Sequence, residues 1–264
     1  GGQVEDLIIG LTYPTAGLAL DTEAGKMYWI DAFARRILRA DLDGADVEEL
    51  VIGIGGGSPV PSTGGHMALD IAGGKMYWTN HIARKIQRSN LDGSVVEDLV
   101  QVVDLTDTFR SIVLDVSAGK MYFSRGRGAA NGRYEFVRAN LDGTDEEILI
   151  DPLPASFGTF TLDVSSEKIY YSDFDFIHRA NLDGSDDKTL VDVGNHHAIA
   201  LDITGGKMYW TRWNPSAPGA IHRANLDGSG IEELVAAAIP RTGSIALDVE
   251  VGKMYWMDIR SGIS

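Results

Sequence analysis

The chain has 264 residues, and 44% of them are hydrophobic, which is enough to build an extensive core. Its formal net charge of −15 makes nucleic acid and anionic membranes unfavourable partners. No apolar run approaches the roughly 20 residues of a membrane helix, and the absence of cysteine excludes disulfides and thiolate chemistry. The chain begins in mid-repeat at Gly1 without a signal peptide, so we expect an excised domain or a mature fragment.

One motif recurs six times along the chain. It consists of Leu-Asp followed by a short turn and Gly-Lys-Met-Tyr-Trp, as in Leu201 and Asp202 leading into Lys207 and Trp210. The leucines of the six copies occupy positions 20, 69, 114, 162, 201 and 247. Repeats of about 45 residues indicate propeller blades or a solenoid.

A second motif follows the first in five of the repeats. It reads Arg-Ala-Asn-Leu-Asp-Gly, as in the segment from Arg223 to Gly228, and an acidic-apolar strand such as Glu232 to Val235 comes after it. Each repeat therefore predicts four short strands, a to d, with Asp-Gly as the c–d hairpin. Four antiparallel strands repeated in this way are typical of a β-propeller. We predict an all-β fold, a six-bladed β-propeller of four-stranded antiparallel blades that forms one domain over residues 1–264.

The two chain ends are predicted to share the last blade. Residues 1–7 align with residues 93–99, so the N-terminal strand is a d strand that closes the last blade. The final repeat supplies strands a and b and stops at Ser264, where strand c should begin. We expect a monomer whose last blade lacks strand c or is completed by an external strand.

The three phrases Leu-Asp, Gly-Lys-Met-Tyr-Trp and Arg-Ala-Asn-Leu-Asp-Gly, recurring in order, resemble the YWTD (class B) repeats of the low-density lipoprotein receptor family. The resemblance covers essentially the whole chain. It implies a six-bladed propeller that is generally extracellular or secreted, has no catalytic residues and binds proteins. The fourth motif residue is a structural Asp in that family, and its candidate partner here is the arginine that opens the second motif, such as Arg39. The third and fifth repeats carry Arg125 and Arg212 instead, together with long b–c loops.

The b–c and d–a loops form the irregular, top face of the predicted propeller, and function usually resides on irregular loops. Arginine and aromatic side chains there favour recognition of a protein or peptide. We predict a non-catalytic binding or scaffold propeller; the alternative is a lyase or hydrolase with its active site at the central mouth. The predicted binding residues are His66, Arg110, Arg125, Arg127, Arg133, Phe174, Phe176, His196, His197, Arg212, Trp213 and Arg241.

No metal site, cofactor or catalytic residue is predicted. His196 and His197 are adjacent, so their side chains point apart in an extended segment, and no third ligand stands at a fixed spacing. The stretch from Asp41 to Asp46 resembles the start of a calcium loop, but its sister repeats read as plain hairpin turns.

Overall fold

The computed structural model describes residues 4–9, 17–32, 34–54, 65–104, 107–128, 133–153, 159–173, 175–194, 196–214, 217–239, 242–258 and 262–263. All regular elements among these residues are β-strands. No helix in these ranges is long and apolar enough to traverse a bilayer.

Five sheets each consist of four consecutive antiparallel strands. The first contains β2 (Ala19–Asp21), β3 (Lys26–Asp31), β4 (Arg36–Asp41) and β5 (Glu48–Ile52). The second contains β6 (Met67–Asp70), β7 (Lys75–Asn80), β8 (Lys85–Asn90) and β9 (Glu97–Gln101). The third contains β10 (Thr108–Asp115), β11 (Lys120–Arg127), β12 (Arg133–Asn140) and β13 (Glu147–Leu153). The fourth contains β14 (Phe160–Asp163), β15 (Lys168–Ser172), β16 (Phe176–Asn181) and β17 (Lys188–Asp192). The fifth contains β18 (His196–Asp202), β19 (Lys207–Asn214), β20 (Ala217–Asn225) and β21 (Glu232–Ile239).

The prediction of a six-bladed propeller was wrong, because only five sheets of the described residues are complete blades of consecutive strands, and the sixth sheet is built differently. Its order is β1 (Ile8–Ile9), β24 (Gly262–Ile263), β23 (Lys253–Asp258) and β22 (Thr242–Asp248). Only β22 and β23 are of ordinary length; β1 and β24 have two residues each and are joined by two residue pairs. Five blades are thus complete runs of consecutive strands. The two-residue strand β24 lies where strand c was expected to be missing.

The chain divides into two compact units, one of residues 15–155 and one of residues 1–14 with 156–264. In the first unit, Tyr28 and Ile37 pack with Met76 and Trp78 of the next sheet. The same arrangement joins the second and third sheets of that unit, where Tyr77 packs against Phe123. The aromatic and methionine side chains of strand b pack on both faces of their sheet. Polar and apolar residues therefore do not have to alternate along the motif.

The Asn-Leu-Asp-Gly turn locks neighbouring sheets together as well as making a hairpin. The guanidinium of Arg88 donates to the carbonyl oxygen of Leu141, 3.3 Å away in the turn of the following sheet. In the same turn, a Cβ placed on Gly143 would lie 2.4 Å from the carbonyl oxygen of Leu99. Glycine is therefore required here because the turn touches the backbone of the preceding sheet.

We expect Gly143→Ala to lower the free energy of unfolding by roughly 3 kcal/mol, since it combines a left-handed backbone with a backbone clash. The matched control is Gly119→Ala, at φ 66° against 86° for Gly143, with nothing within 4 Å of the added Cβ. The control should cost only about 1 kcal/mol. Urea unfolding of both variants measures the difference, and equal losses would contradict a role for the turn between sheets.

Candidate functional site

A hydroxyl side chain follows the Tyr-Trp pair in four of the sheets and holds the start of strand a. Thr79 Oγ1 accepts the backbone N–H of His66 at 2.9 Å, and Ser124 Oγ accepts that of Ser111 at 3.1 Å. The second unit repeats this contact from Thr159 to Ser172 at 3.2 Å and from Ala198 to Thr211 at 3.1 Å. The hydroxyl accepts a hydrogen bond from a backbone N–H that has no partner in the strand pairing. The residue that it holds occupies the same place in each sheet.

A bulge in β10 sets the side chains of Arg110 and Ser111. The pairing of β10 with β11 runs from Thr108 to Phe109, shifts, and resumes at Ile112. Bulges re-aim side chains and occur often beside functional sites. Phe109 and Ile112 remain in the core, while Arg110 keeps some exposed surface and Ser111 is buried.

His66 lies against this bulge. Its Nδ1 is 3.4 Å from Ser111 Oγ, a long contact for a hydrogen bond. Its Nε2 has no hydrogen-bond partner among the described residues, and the residue as a whole is partly exposed. Burial of the ring, helped by the positive charge of Arg110, lowers the pKa of His66 to about 4. The imidazole is therefore neutral at physiological pH, with one nitrogen held and the other available.

The wall beside Arg110 is formed by Tyr134, Thr108 and His81. The guanidinium of Arg110 lies over the Tyr134 ring, 4.8 Å from its centroid, and Thr108 Oγ1 contacts His81 Nδ1. Burial lowers the pKa of His81, and Arg110 contributes in the same direction. Gly126 allows the close approach, because a Cβ there would lie 2.9 Å from the Tyr134 ring. Arg110 thus stands between two histidines whose neutral forms are favoured.

Arg125 is placed very differently from the surface position that we predicted. It is 8% exposed, and its guanidinium contacts Glu135 at 3.1 Å and Glu146 at 2.7 Å. Glu135, 4% exposed, also contacts Arg127 at 2.8 Å. The charges of Arg125 are satisfied within the chain, in an ion-pair network that joins β11 to β12 and to Glu146 just before β13, with Arg127 at its exposed edge.

The expected pairing of the motif Asp with the arginine of the second motif does not occur in the first sheet. Asp31 Oδ1 accepts the N–H of Ala34 at 2.8 Å and so caps the b–c turn. Arg39 instead contacts Glu48 at 2.6 Å and the carbonyl oxygen of Leu91 at 3.3 Å. The short Asp side chain bonds to its own turn, whereas the long arginine reaches the neighbouring sheet.

The remaining predicted binding residues are dispersed. Arg133 is exposed and contacts Asp151 at 3.4 Å, Phe176 lies at the start of β16 with its ring 6.3 Å from that of His178, and Arg212 is exposed on β19. Phe174 and Arg241 lie outside the described residues, as do the side chains of His196, His197 and Trp213. Of the predicted set, only His66 and Arg110 are brought together with other chemically active groups.

Sequence reasoning missed Thr79 and Tyr134 as parts of this cluster, and it placed His81 and Ser111 on the top-face loops without including them among the predicted binding residues. A signal for Thr79 was present, because a hydroxyl follows Tyr-Trp or its equivalent in four repeats. No group of three His, Asp or Glu side chains in the described part of the chain is placed to hold a metal ion.

No protein-family model matches the chain, and no curated protein does either. Solved structures do match. The chain is similar to the propeller of a nidogen/laminin complex, with 21% identity, a TM-score of 0.68 and coverage of 85% of this chain and 81% of that one. It is similar to a luciferin-regenerating enzyme, with 12% identity, a TM-score of 0.73 and coverage of 97% and 91%. It is also similar to a gluconolactonase from Xanthomonas campestris, with 16% identity, a TM-score of 0.70 and coverage of 95% and 85%.

These likenesses establish a β-propeller and correct the predicted function. Because the motif resembles that of a binding family, the sequence predicted a binding propeller without enzymatic activity. Two of the matched propellers are named as enzymes, and they align over nearly the whole chain. The fold is thus shared with enzymes, and the prediction of a non-catalytic scaffold was wrong. The hydrolase alternative agrees better with these findings.

We expect Glu135→Gln to lower the free energy of unfolding by roughly 2–3 kcal/mol, because it leaves the buried Arg125 charge with less compensation. The control is Glu147→Gln, which breaks an exposed pair with Arg138 and should cost less than about 1 kcal/mol. Denaturant unfolding of the two variants makes the comparison. A loss for Glu135→Gln no larger than that of the control would show that the network contributes little.

Protonation of His66 should destabilise the fold in acid. Its pKa is depressed from 6.5 to about 4 on folding, so the unfolded chain binds the proton more readily. The contribution of His66 is therefore fully present above pH 6.5 and is lost as the pH falls towards 4. Unfolding free energies measured between pH 4 and 7 should decline less steeply for His66→Gln than for the wild type. Parallel curves would contradict the depressed pKa.

Proposed function

We propose that the protein is a hydrolase of carboxylic esters or lactones in which His66 acts as the general base. The observation that carries the proposal is the placement of His66, with Nδ1 against the buried Ser111 hydroxyl at 3.4 Å and Nε2 without a partner among the described residues. A general base must have a held orientation and an available lone pair. Arg110, which lies close enough to influence His66 electrostatically, supplies the positive charge of the site.

In this mechanism Nδ1–H donates to Ser111 Oγ, which leaves the lone pair on Nε2. A water molecule attacks the carbonyl carbon of the substrate while Nε2 takes its proton. The tetrahedral oxyanion forms beside the guanidinium of Arg110, which stabilises it. The intermediate then collapses, the bond to the leaving oxygen breaks, and the imidazolium returns the proton to that oxygen. The products are a carboxylic acid and an alcohol, or a hydroxy acid from a lactone.

The two electrostatic effects on the reaction act in opposite directions. Burial and Arg110 keep His66 neutral and so available above pH 4, but they also make it a weak base. The same positive charge favours the oxyanion, and stabilisation of developing charge is usually the larger effect in acyl transfer. Activated esters and strained lactones therefore fit the site better than amides, because their carbonyls need less assistance from the base.

Two further observations support this proposal. One of the similar propellers is named a gluconolactonase, an enzyme that acts on a lactone. The bulge in β10 orients the cluster, as bulges do beside active sites. We also infer that the chain is a relative of the YWTD propellers, since its repeats resemble them. On this view the repeat motif is the scaffold, and the cluster in the second and third sheets carries the chemistry.

We expect measurable hydrolysis of p-nitrophenyl acetate or of δ-gluconolactone above the spontaneous rate, and a loss of 10²–10⁴-fold in kcat/KM for His66→Gln. The pH profile of kcat/KM should rise with an acid limb near the His66 pKa of about 4, because only the neutral imidazole accepts the proton. A stopped-flow or pH-stat assay with the uncatalysed rate subtracted measures both. Equal rates for the wild type and His66→Gln on every ester and lactone would overturn the proposal.

Ser111 is a positioning residue, and its variants separate that role from folding. Ser111→Ala should lower kcat by roughly tenfold with little change in KM, since the imidazole loses its orientation. Ser111→Thr should restore most of the activity. Both variants should fold, because Ala198 and Thr159 occupy the equivalent position in sister sheets. Ser89→Ala is the control, because this buried serine lies where other repeats have alanine. A loss of kcat in the control equal to that in Ser111→Ala would show that the effect comes from packing alone.

A further inference from the structure

Of the arginines that lie over tyrosine rings in the described part of the chain, Arg110 differs from the others in having no carboxylate partner there. Arg39, Arg88 and Arg223 stand over Tyr28, Tyr77 and Tyr209 at 5.7–5.9 Å, and each also contacts a glutamate. Arg110 lies closer to its ring, at 4.8 Å, but no carboxylate among the described residues is within ion-pair distance. A guanidinium presents five N–H donors in a fixed fork. Tyr134 covers a face of the group and accepts none of those in-plane bonds.

No acidic side chain in the described part of the chain forms an ion pair with Arg110, and two nearby acids have other partners. Asp107 Oδ1, just before β10, accepts the N–H of Gly128 at 3.0 Å. Glu135 on β12 is held by Arg125 and Arg127. The charge of Arg110 also acts on two histidines, His66 just before β6 and His81 just after β7. The fork of Arg110 is thus surrounded by neutral imidazoles and an aromatic ring, in a chain whose net charge is −15.

We infer that Arg110, flanked by His66 and His81, forms a subsite that binds a small carboxylate anion. Arginine and carboxylate match in geometry, and a bidentate pair is among the stronger polar contacts. That the anion is the product of the reaction rests on the proposed hydrolysis, which generates a carboxylate beside Arg110. Anion binding itself depends only on the arrangement of the three residues.

Binding at this subsite should be coupled to proton uptake. In the free protein both histidines have depressed pKa values, in part because of Arg110. An anion that neutralises this charge favours their protonated forms, so it binds more tightly at low pH. If the anion restores one histidine to its ordinary pKa of about 6.5, the affinity rises by roughly tenfold between pH 7.5 and pH 5.5.

The experiment is titration of the wild-type protein with sodium D-gluconate, and separately with acetate, at pH 7.5 and 5.5, followed by calorimetry and by the histidine NMR signals. Acetamide serves as the neutral analogue. We expect carboxylate binding that tightens at pH 5.5, weakens at least tenfold in Arg110→Gln, and is unchanged in Arg133→Gln. His66→Gln and His81→Gln should each reduce the pH dependence. Thermal unfolding checks that Arg110→Gln is folded.

The outcomes separate this inference from the proposed function. Carboxylate binding that requires Arg110, in a protein without esterase or lactonase activity, would support the subsite and remove its link to a product. Hydrolysis without carboxylate binding, or equal binding of acetate and acetamide, would overturn the subsite and leave the general-base proposal standing. Equal binding to the wild type and to a folded Arg110→Gln would also overturn it.

Discussion

The framework of four sheets depends on a backbone constraint four residues before the aspartate that ends strand a. An N–H group there falls outside the regular pairing, and a buried N–H must have a partner. The side-chain hydroxyl of Thr79, Ser124, Ser172 or Thr211 provides it from the neighbouring strand. The contact fixes the backbone of the held residue and makes no demand on its side chain. Histidine, serine, threonine and alanine can therefore occupy one structural position, and chemical groups can be placed on a constant framework.

The strands and turns of the five complete sheets were predictable because each is specified by a repeated phrase. In the fifth sheet, for example, Lys207 of the first motif pairs with Asp202 of the same motif and with Asn225 of the second. The sixth sheet was not predictable in the same way, since β24 is only two residues long and carries neither motif. The alignment of residues 1–7 with residues 93–99 predicted that the N-terminal strand joins this sheet, but no motif indicated the strand β24 with which it pairs. The extracellular location, the monomeric state and the single domain stay predictions.

The buried place of Arg125 could have been inferred by comparing strand partners instead of motif positions. In the first sheet the motif Asp31 faces Arg36 across β3 and β4, and in the third sheet Arg125 faces Glu135 in the same relation. The acid and the base are exchanged, so the pair is preserved. Arg125 departs from the motif only when its own strand is considered without the paired strand. Arg212 faces Ala220, so in the fifth sheet no such exchange accompanies the arginine.

Arg110 differs from the other arginines that lie over tyrosine rings, because no carboxylate of the described residues pairs with it. A protein with an excess of acidic residues can place a carboxylate near almost any arginine, and it does so for the three other arginines that cover tyrosine rings. At Arg110 the bulge would allow a partner from β11 or β12, yet Glu135 there pairs with Arg125 and Arg127 instead. Arg110 is half-buried, so leaving its charge without a counter-ion costs some free energy. A fold that accepts this cost beside two neutral histidines gains a site where negative charge is stabilised, whether that charge belongs to a transition state or to a bound carboxylate.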